Sequence, residues 1–75
     1  MLKLYTTSHC HLCDEAYSLV LQLCNANQVS LIEIADDQDL MNIYGTRIPV
    51  LQRLDTLAEL GWPFNSQELN KFLGH

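Results

Sequence analysis

Most of the chain's chemistry sits in one short stretch, Thr6 to Ala16, which reads TTSHCHLCDEA. Cys10 and Cys13 stand three positions apart, His9 and His11 flank the first, and Asp14 and Glu15 follow the second. Three kinds of chemistry fit these residue types. Two thiols at this spacing in a first helical turn bring their Cα atoms within the roughly 4.4–6.8 Å that a disulfide spans, so the pair can cycle between dithiol and disulfide. Two imidazoles and two thiols are also a donor set for zinc or copper. The same cysteines can equally be the packed start of an ordinary helix. Cys10-His11-Leu12-Cys13 alone fits all three, and the elements around it have to decide.

Those elements follow from hydrophobic period and cap chemistry. Leu2 to Thr6 alternates as a short strand. From Leu12 onward Ala16, Leu19, Val20, Leu23 and Cys24 recur at three- and four-residue intervals and draw an apolar stripe along a helix that ends near Asn25 to Asn27. Ser30 to Ala35 predicts a second strand, and Asp36 or Asp37 caps a short helix that stops at Gly45 in a left-handed C-terminal position. Ile48 to Leu54 and Leu57 to Trp62 predict two strands joined tightly at Asp55-Thr56, a hairpin. Asn65 and Glu68 make a capping box, Phe64 and Leu69 a hydrophobic staple, and Leu69, Phe72 and Leu73 the buried face of a last helix. The order is β-α-β-α-β-β-α, an α/β fold with a four-stranded mixed sheet flanked by three helices.

Composition excludes several classes of function. Seventy-five residues make a single domain, residues 1–75, with a small core and no room for an elaborate pocket. Nine acids against four bases leave no basic stripe for phosphates, so nucleic acid is not the expected partner. The longest apolar run, Leu19 to Leu21, is too short to span a membrane, and the start MLKLYTT lacks the pattern of a signal peptide. A close cysteine pair plus one remote thiol, Cys24, suits a reducing compartment rather than a secreted disulfide framework. A soluble, cytoplasmic monomer without a membrane partner is the expectation.

This organisation puts the cysteine pair at the turn from the first strand into the first helix. Cys10 lies at the helix end, near unpaired N–H groups and the positive end of the dipole, and both favour a thiolate. Cys13 shares the apolar stripe with Ala16 and Val20, so it is the more buried, resolving thiol. A C-x-x-C at this place in a βαβ unit is a thioredoxin-like redox signal.

LYTTSHCHLC, the element order and RIPVL together resemble a glutaredoxin-type thioredoxin fold. Within it the chain is similar to small bacterial glutaredoxin-like proteins that share a WPF segment before the last helix, here Trp62-Pro63-Phe64. The resemblance covers essentially the whole chain. It implies a cis proline beside the cysteines, matched by Pro49, and a preceding residue, Ile48, whose backbone N–H and C=O receive a peptide or glutathione as an added strand. It also implies a thiol–disulfide oxidoreductase that reduces protein disulfides or glutathione mixed disulfides. The catalytic residues would be Cys10 and Cys13, and the substrate- or glutathione-binding residues His11, Arg47, Ile48, Pro49, Asn65 and Ser66. No bound cofactor is needed for that cycle; glutathione or a reductase would supply the electrons.

The chain departs from that pattern in three places. His11 and Leu12 replace the usual proline and aromatic residue between the cysteines, Thr7 replaces a common lysine, and PFNS replaces a Gly-Gly-Ser/Thr-Asp-like stretch. Arg47 is then the one cation near the site, and only the N–H groups following Asn65 and Ser66 remain to receive a carboxylate. The rival readings are a metal clamp of His9, Cys10, His11 and Cys13 and a non-catalytic peptide-binding module using Ile48. The first is crowded and has only His75 as a remote histidine, and the second leaves Cys13 without a purpose. Cys24 and Trp62 are expected to pack, and the acidic run from Asp36 to be a solvated helix start.

Overall fold

Strand β1 (Leu2–Thr6) lies at the centre of the computed structural model, which describes residues 1–74. It pairs in parallel with β2 (Val29–Glu33) and antiparallel with β3 (Val50–Arg53), and β3 pairs antiparallel with β4 (Glu59–Gly61), so the sheet runs β2-β1-β3-β4. The alternation of β1 divides the core into two layers. Leu2 and Leu4 face α1 (His11–Leu23) and α3 (Ser66–Leu73), packing with Ala16, Val20, Leu51, Phe64 and Leu69. Tyr5 faces the other way, with Val50 and Ile34, and stacks on Tyr44 of α2 (Gln38–Tyr44) at 4.0 Å between ring centroids. No described helix is long and apolar enough to cross a membrane.

The caps that the sequence predicts are present at two helices. The Asp37 carboxylate accepts from the N–H groups of Asp39 and Leu40 at 2.9 and 3.2 Å. At α3 the Asn65 side chain accepts from the Glu68 N–H at 2.8 Å while Glu68 accepts from the Asn65 N–H at 3.2 Å. Phe64 and Leu69 are both buried beside that box.

Four boundaries differ from the sequence reading. Helix α1 ends at Leu23 rather than near Asn25 to Asn27, because the Asn25 N–H is taken by the Gln28 side chain at 2.8 Å in a separate 3-10 turn, Ala26–Gln28. Strand β2 starts at Val29 and ends at Glu33, although Ile34 still donates to the Thr6 carbonyl at 3.0 Å. Gly45 is right-handed (φ −52°), not left-handed. A side chain there would collide with the Met41 carbonyl, so glycine is needed for space rather than for backbone freedom. The hairpin strands are shorter than expected, and the connection runs from Leu54 to Ala58, with Leu57 at φ 62° and the Arg53 N–H donating to the Ala58 carbonyl.

Candidate redox site

The corner between β1 and α1 is built by a sharp reversal. His9 adopts φ 60°, a left-handed conformation in which histidine is one of the better-tolerated residues, and Cys10 follows as the N-cap of α1 in extended backbone. Its Sγ accepts a hydrogen bond from the Cys13 N–H at 3.1 Å, so a sulfur fills the place that serine or aspartate takes in an ordinary cap. Cys10 and Cys13 are joined as a disulfide, with Cα atoms 5.2 Å apart. The two sulfurs are not equivalent. Cys10 is half-buried and Cys13 is only 2% exposed, on the face that carries Ala16 and Val20 into the core. Between them His11 and Leu12 point outward, Leu12 being 47% exposed. Reduction would leave a sulfur at Cys10 with an N–H, a helix N-terminus and solvent access, all of which favour a thiolate there.

Pro49 stands at the same end of the sheet. Tyr5 of β1 pairs with Val50, so buried Pro49 lies one step further along, level with the end of β1. The Ile48–Pro49 peptide is cis, and so is Trp62–Pro63. Ile48 departs from the expectation of an open backbone, since its N–H donates to the Tyr44 carbonyl at 3.0 Å. The carbonyl of Tyr44 ends α2 and needs donors, and it takes the Arg47 N–H as well, at 2.8 Å. Only the Ile48 carbonyl is left without a partner among the described residues.

Arg47 is engaged rather than free. Its guanidinium meets Glu59 at 2.8 Å and lies over the Tyr44 ring, 5.3 Å from the centroid. The Tyr44 hydroxyl donates to the other oxygen of Glu59 at 2.5 Å. Together the Tyr44 hydroxyl and the Arg47 guanidinium hold the Glu59 carboxyl below its ordinary range despite some burial, while burial, then the bond to Glu59, push the Tyr44 phenol up. Asn65 is likewise occupied with Glu68, which places a carboxylate of the chain's own at the first turn of α3; Ser66 is exposed in that turn.

The sequence reading missed a contact that holds the corner. Glu33 ends β2 opposite Thr6, and its Oε1 accepts from the Ser8 N–H and the Ser8 hydroxyl, both at 3.0 Å. The only signal for it was a lone acid in an otherwise β-forming stretch, SLIEIA. Cys24 lies away from this corner and is half-buried rather than fully buried, beside a cavity of about 220 Å³ lined by Met1, Leu2, Arg53 and Leu73 at the opposite end of β1. Burial pushes its thiol up. Trp62 packs edge-on against Phe64 at 5.1 Å, as expected of a packing residue. Among the described residues no three His, Cys, Asp or Glu side chains converge as metal ligands; His75 lies outside those residues.

A four-stranded mixed sheet in this order, with a C-x-x-C disulfide where the central strand enters a helix and a proline at the head of the neighbouring strand, defines a thioredoxin-like fold with a redox-type corner. The chain belongs to the glutaredoxin-like domain family (DUF836), whose profile matches residues 1–74. Two solved structures of a structural-genomics target protein, XcR50 from X. campestris, are similar over nearly the full length. The X-ray structure is 38% identical with a TM-score of 0.87, covering 97% of this chain and 95% of that one. The solution structure is also 38% identical, with a TM-score of 0.79 and coverage of 96% and 90%. No curated protein matches the sequence.

Proposed function

We propose that the chain is a thiol–disulfide oxidoreductase that cycles between a Cys10/Cys13 dithiol and the disulfide to reduce protein disulfides or glutathione mixed disulfides. The observation that carries this reading is the asymmetry of the corner, where the sulfur of half-buried Cys10 accepts the Cys13 N–H and Cys13 itself is buried on the core side of the helix. The Cys10 thiolate attacks one sulfur of the substrate disulfide, that S–S bond breaks, and the leaving thiolate takes a proton from solvent. Cys13 then loses its proton and attacks the Cys10 sulfur, forming the intramolecular disulfide and releasing the second substrate thiol. Substrate gains two electrons and the cysteine pair loses them. A thiol reductant, glutathione or the dithiol of a reductase, returns the pair to the reduced state, and no bound cofactor takes part.

In this reading Leu12 and His11 face the incoming substrate, Pro49 walls the sulfurs, and the Ile48 carbonyl accepts one backbone N–H of a substrate peptide. A single open carbonyl supports one such bond rather than a paired strand. Arg47, drawn to Glu59, and the first turn of α3 at Asn65 and Ser66 are the places where a glutathione carboxylate would compete with groups of the chain itself.

The test is covalent trapping. Cys13→Ser should accumulate a mixed disulfide on Cys10 with a disulfide substrate, and Cys10→Ser should accumulate none, as read by intact mass. An adduct confined to Cys13 would reverse the roles. A parent protein that does not pass from disulfide to dithiol and back in a glutathione redox buffer would end the oxidoreductase reading.

A further inference from the structure

Glu33 occupies a place that the disulfide exchange itself does not require. It comes from β2, 25 residues along the chain from Ser8, and spends one carboxylate oxygen on both polar donors of that residue. Its other oxygen is shielded and has no hydrogen-bond partner in good geometry among the described residues, so Ser8 is the contact that the geometry secures. What this placement secures is the turn next to it. Ser8 directly precedes His9, whose φ of 60° is tolerated by histidine but still less favourable than an ordinary backbone, and His9 directly precedes the sulfur of the N-cap. Burial pushes the Glu33 carboxyl up, but the hydrogen bonds led by those from Ser8 outweigh it and hold the carboxyl below its ordinary range.

We propose that Glu33 is a positioning residue for the Cys10 chemistry: by clamping Ser8 from the adjacent strand it fixes the left-handed turn at His9 and so keeps the Cys10 sulfur on the Cys13 N–H. The inference rests on the reading of Cys10 as the attacking thiol. The charge of Glu33 and its clamp act on Cys10 in opposite directions. A carboxylate charge reaching the sulfur disfavours a thiolate, whereas a held cap favours one. Glutamine keeps an oxygen that can accept from Ser8 and removes the charge; alanine removes both. If charge were all that mattered, both variants would make Cys10 more reactive. If the clamp matters, alanine lowers reactivity and glutamine preserves or raises it. His9, His11, Asp14 and Glu15, the other titratable groups around the corner, are common to every variant compared.

The experiment uses the full chain, reduced, with Cys13→Ser and Cys24→Ser so that Cys10 alone reacts, and follows iodoacetamide alkylation against pH. Relative to that background, Glu33→Ala is expected to alkylate about fivefold more slowly at neutral pH, the factor that one lost hydrogen bond carries, with its pH midpoint moved up. Glu33→Gln is expected to react at the background rate or faster. If Glu33→Ala does not fold by circular dichroism, Ser8→Ala, which removes only the hydroxyl donor, is expected to slow alkylation about twofold. The proposal is overturned if Glu33→Ala reacts as fast as the background, if glutamine fails to rescue it, or if Ser8→Ala leaves the rate unchanged when it is the variant read. Failure of the oxidoreductase reading shows elsewhere, in a background protein whose Cys10 reacts no faster than free cysteine.

Discussion

Cys10 should carry more negative charge at neutral pH than a free cysteine, and the excess can be worked from the corner's geometry. One N–H donates to its sulfur at 3.1 Å. A hydrogen bond to a charged acceptor is worth about 1.5–3 kcal/mol when protected, and half-burial at Cys10 reduces that to about 1 kcal/mol. The N-terminus of the 13-residue α1 adds about 0.7 kcal/mol, within the range for an exposed site. Asp14, in the first turn, opposes the thiolate by about 0.3 kcal/mol, the scale of a like-charge helical pair. The net is about 1.4 kcal/mol, a roughly tenfold larger thiolate-to-thiol ratio than in a free cysteine. Ultraviolet absorbance of the thiolate, followed through a pH titration of reduced protein carrying Cys13→Ser and Cys24→Ser, measures this directly. Asp14→Asn should enlarge the ratio further, by about 1.7-fold. A parent midpoint at or above that of free cysteine would refute the reasoning, because neither the cap hydrogen bond nor the helix end would then be acting on the sulfur.

Leu69→Ala should destabilise the fold by about 2–5 kcal/mol, since Leu69 is fully buried against Phe64 and the β1 leucines; chemical denaturation gives the value. Asn65→Ala removes the acceptor that caps α3 and should cost about 1 kcal/mol in the same measurement. The Glu59 carboxyl is held low in the folded state, so its contribution is fully present above the ordinary carboxylate pKa and is lost as pH falls through the depressed folded value. Denaturant midpoints between neutral and acid pH should therefore fall less steeply for Glu59→Gln than for the parent. Cys24, whose thiol is pushed up by burial, should react with a disulfide reagent much more slowly at neutral pH than Cys10, as time-resolved mass analysis of the reduced protein would show.

What could be read from the sequence was whatever a local signal settles. The Asn65–Glu68 box joins residues three positions apart, as does the Cys10–Cys13 pair, and the alternation of Leu2, Lys3, Leu4 and Tyr5 sorts the two faces of β1 without reference to anything distant. Where the structure adds to that reading, the cause is a neighbour that sequence period does not reveal. The resemblance implies an open Ile48 N–H, and the carbonyl at the end of α2 takes it. Arg47 reads as the one cation near the site, and Glu59, twelve residues on, pairs with it. Gly45 by its type predicts a left-handed turn, whereas the Met41 carbonyl supplies the reason for glycine.

The same distinction explains why the motif was visible and its support was not. Cys10 gains its N–H from its own helix, so the chemistry of the pair is local. The loop that delivers Cys10 is tied to β2 through Glu33, and the proline at the head of β3 stands level with the end of β1 on the other side. Both neighbours reach the corner only because β1 is an interior strand, with β2 parallel on one flank and β3 antiparallel on the other. A C-x-x-C at the end of an edge strand would have one such neighbour at most. The order of strands thus supplies the two supports of the corner, while the helical spacing of Cys13 with Ala16 and Val20 buries one cysteine and leaves the other half-exposed.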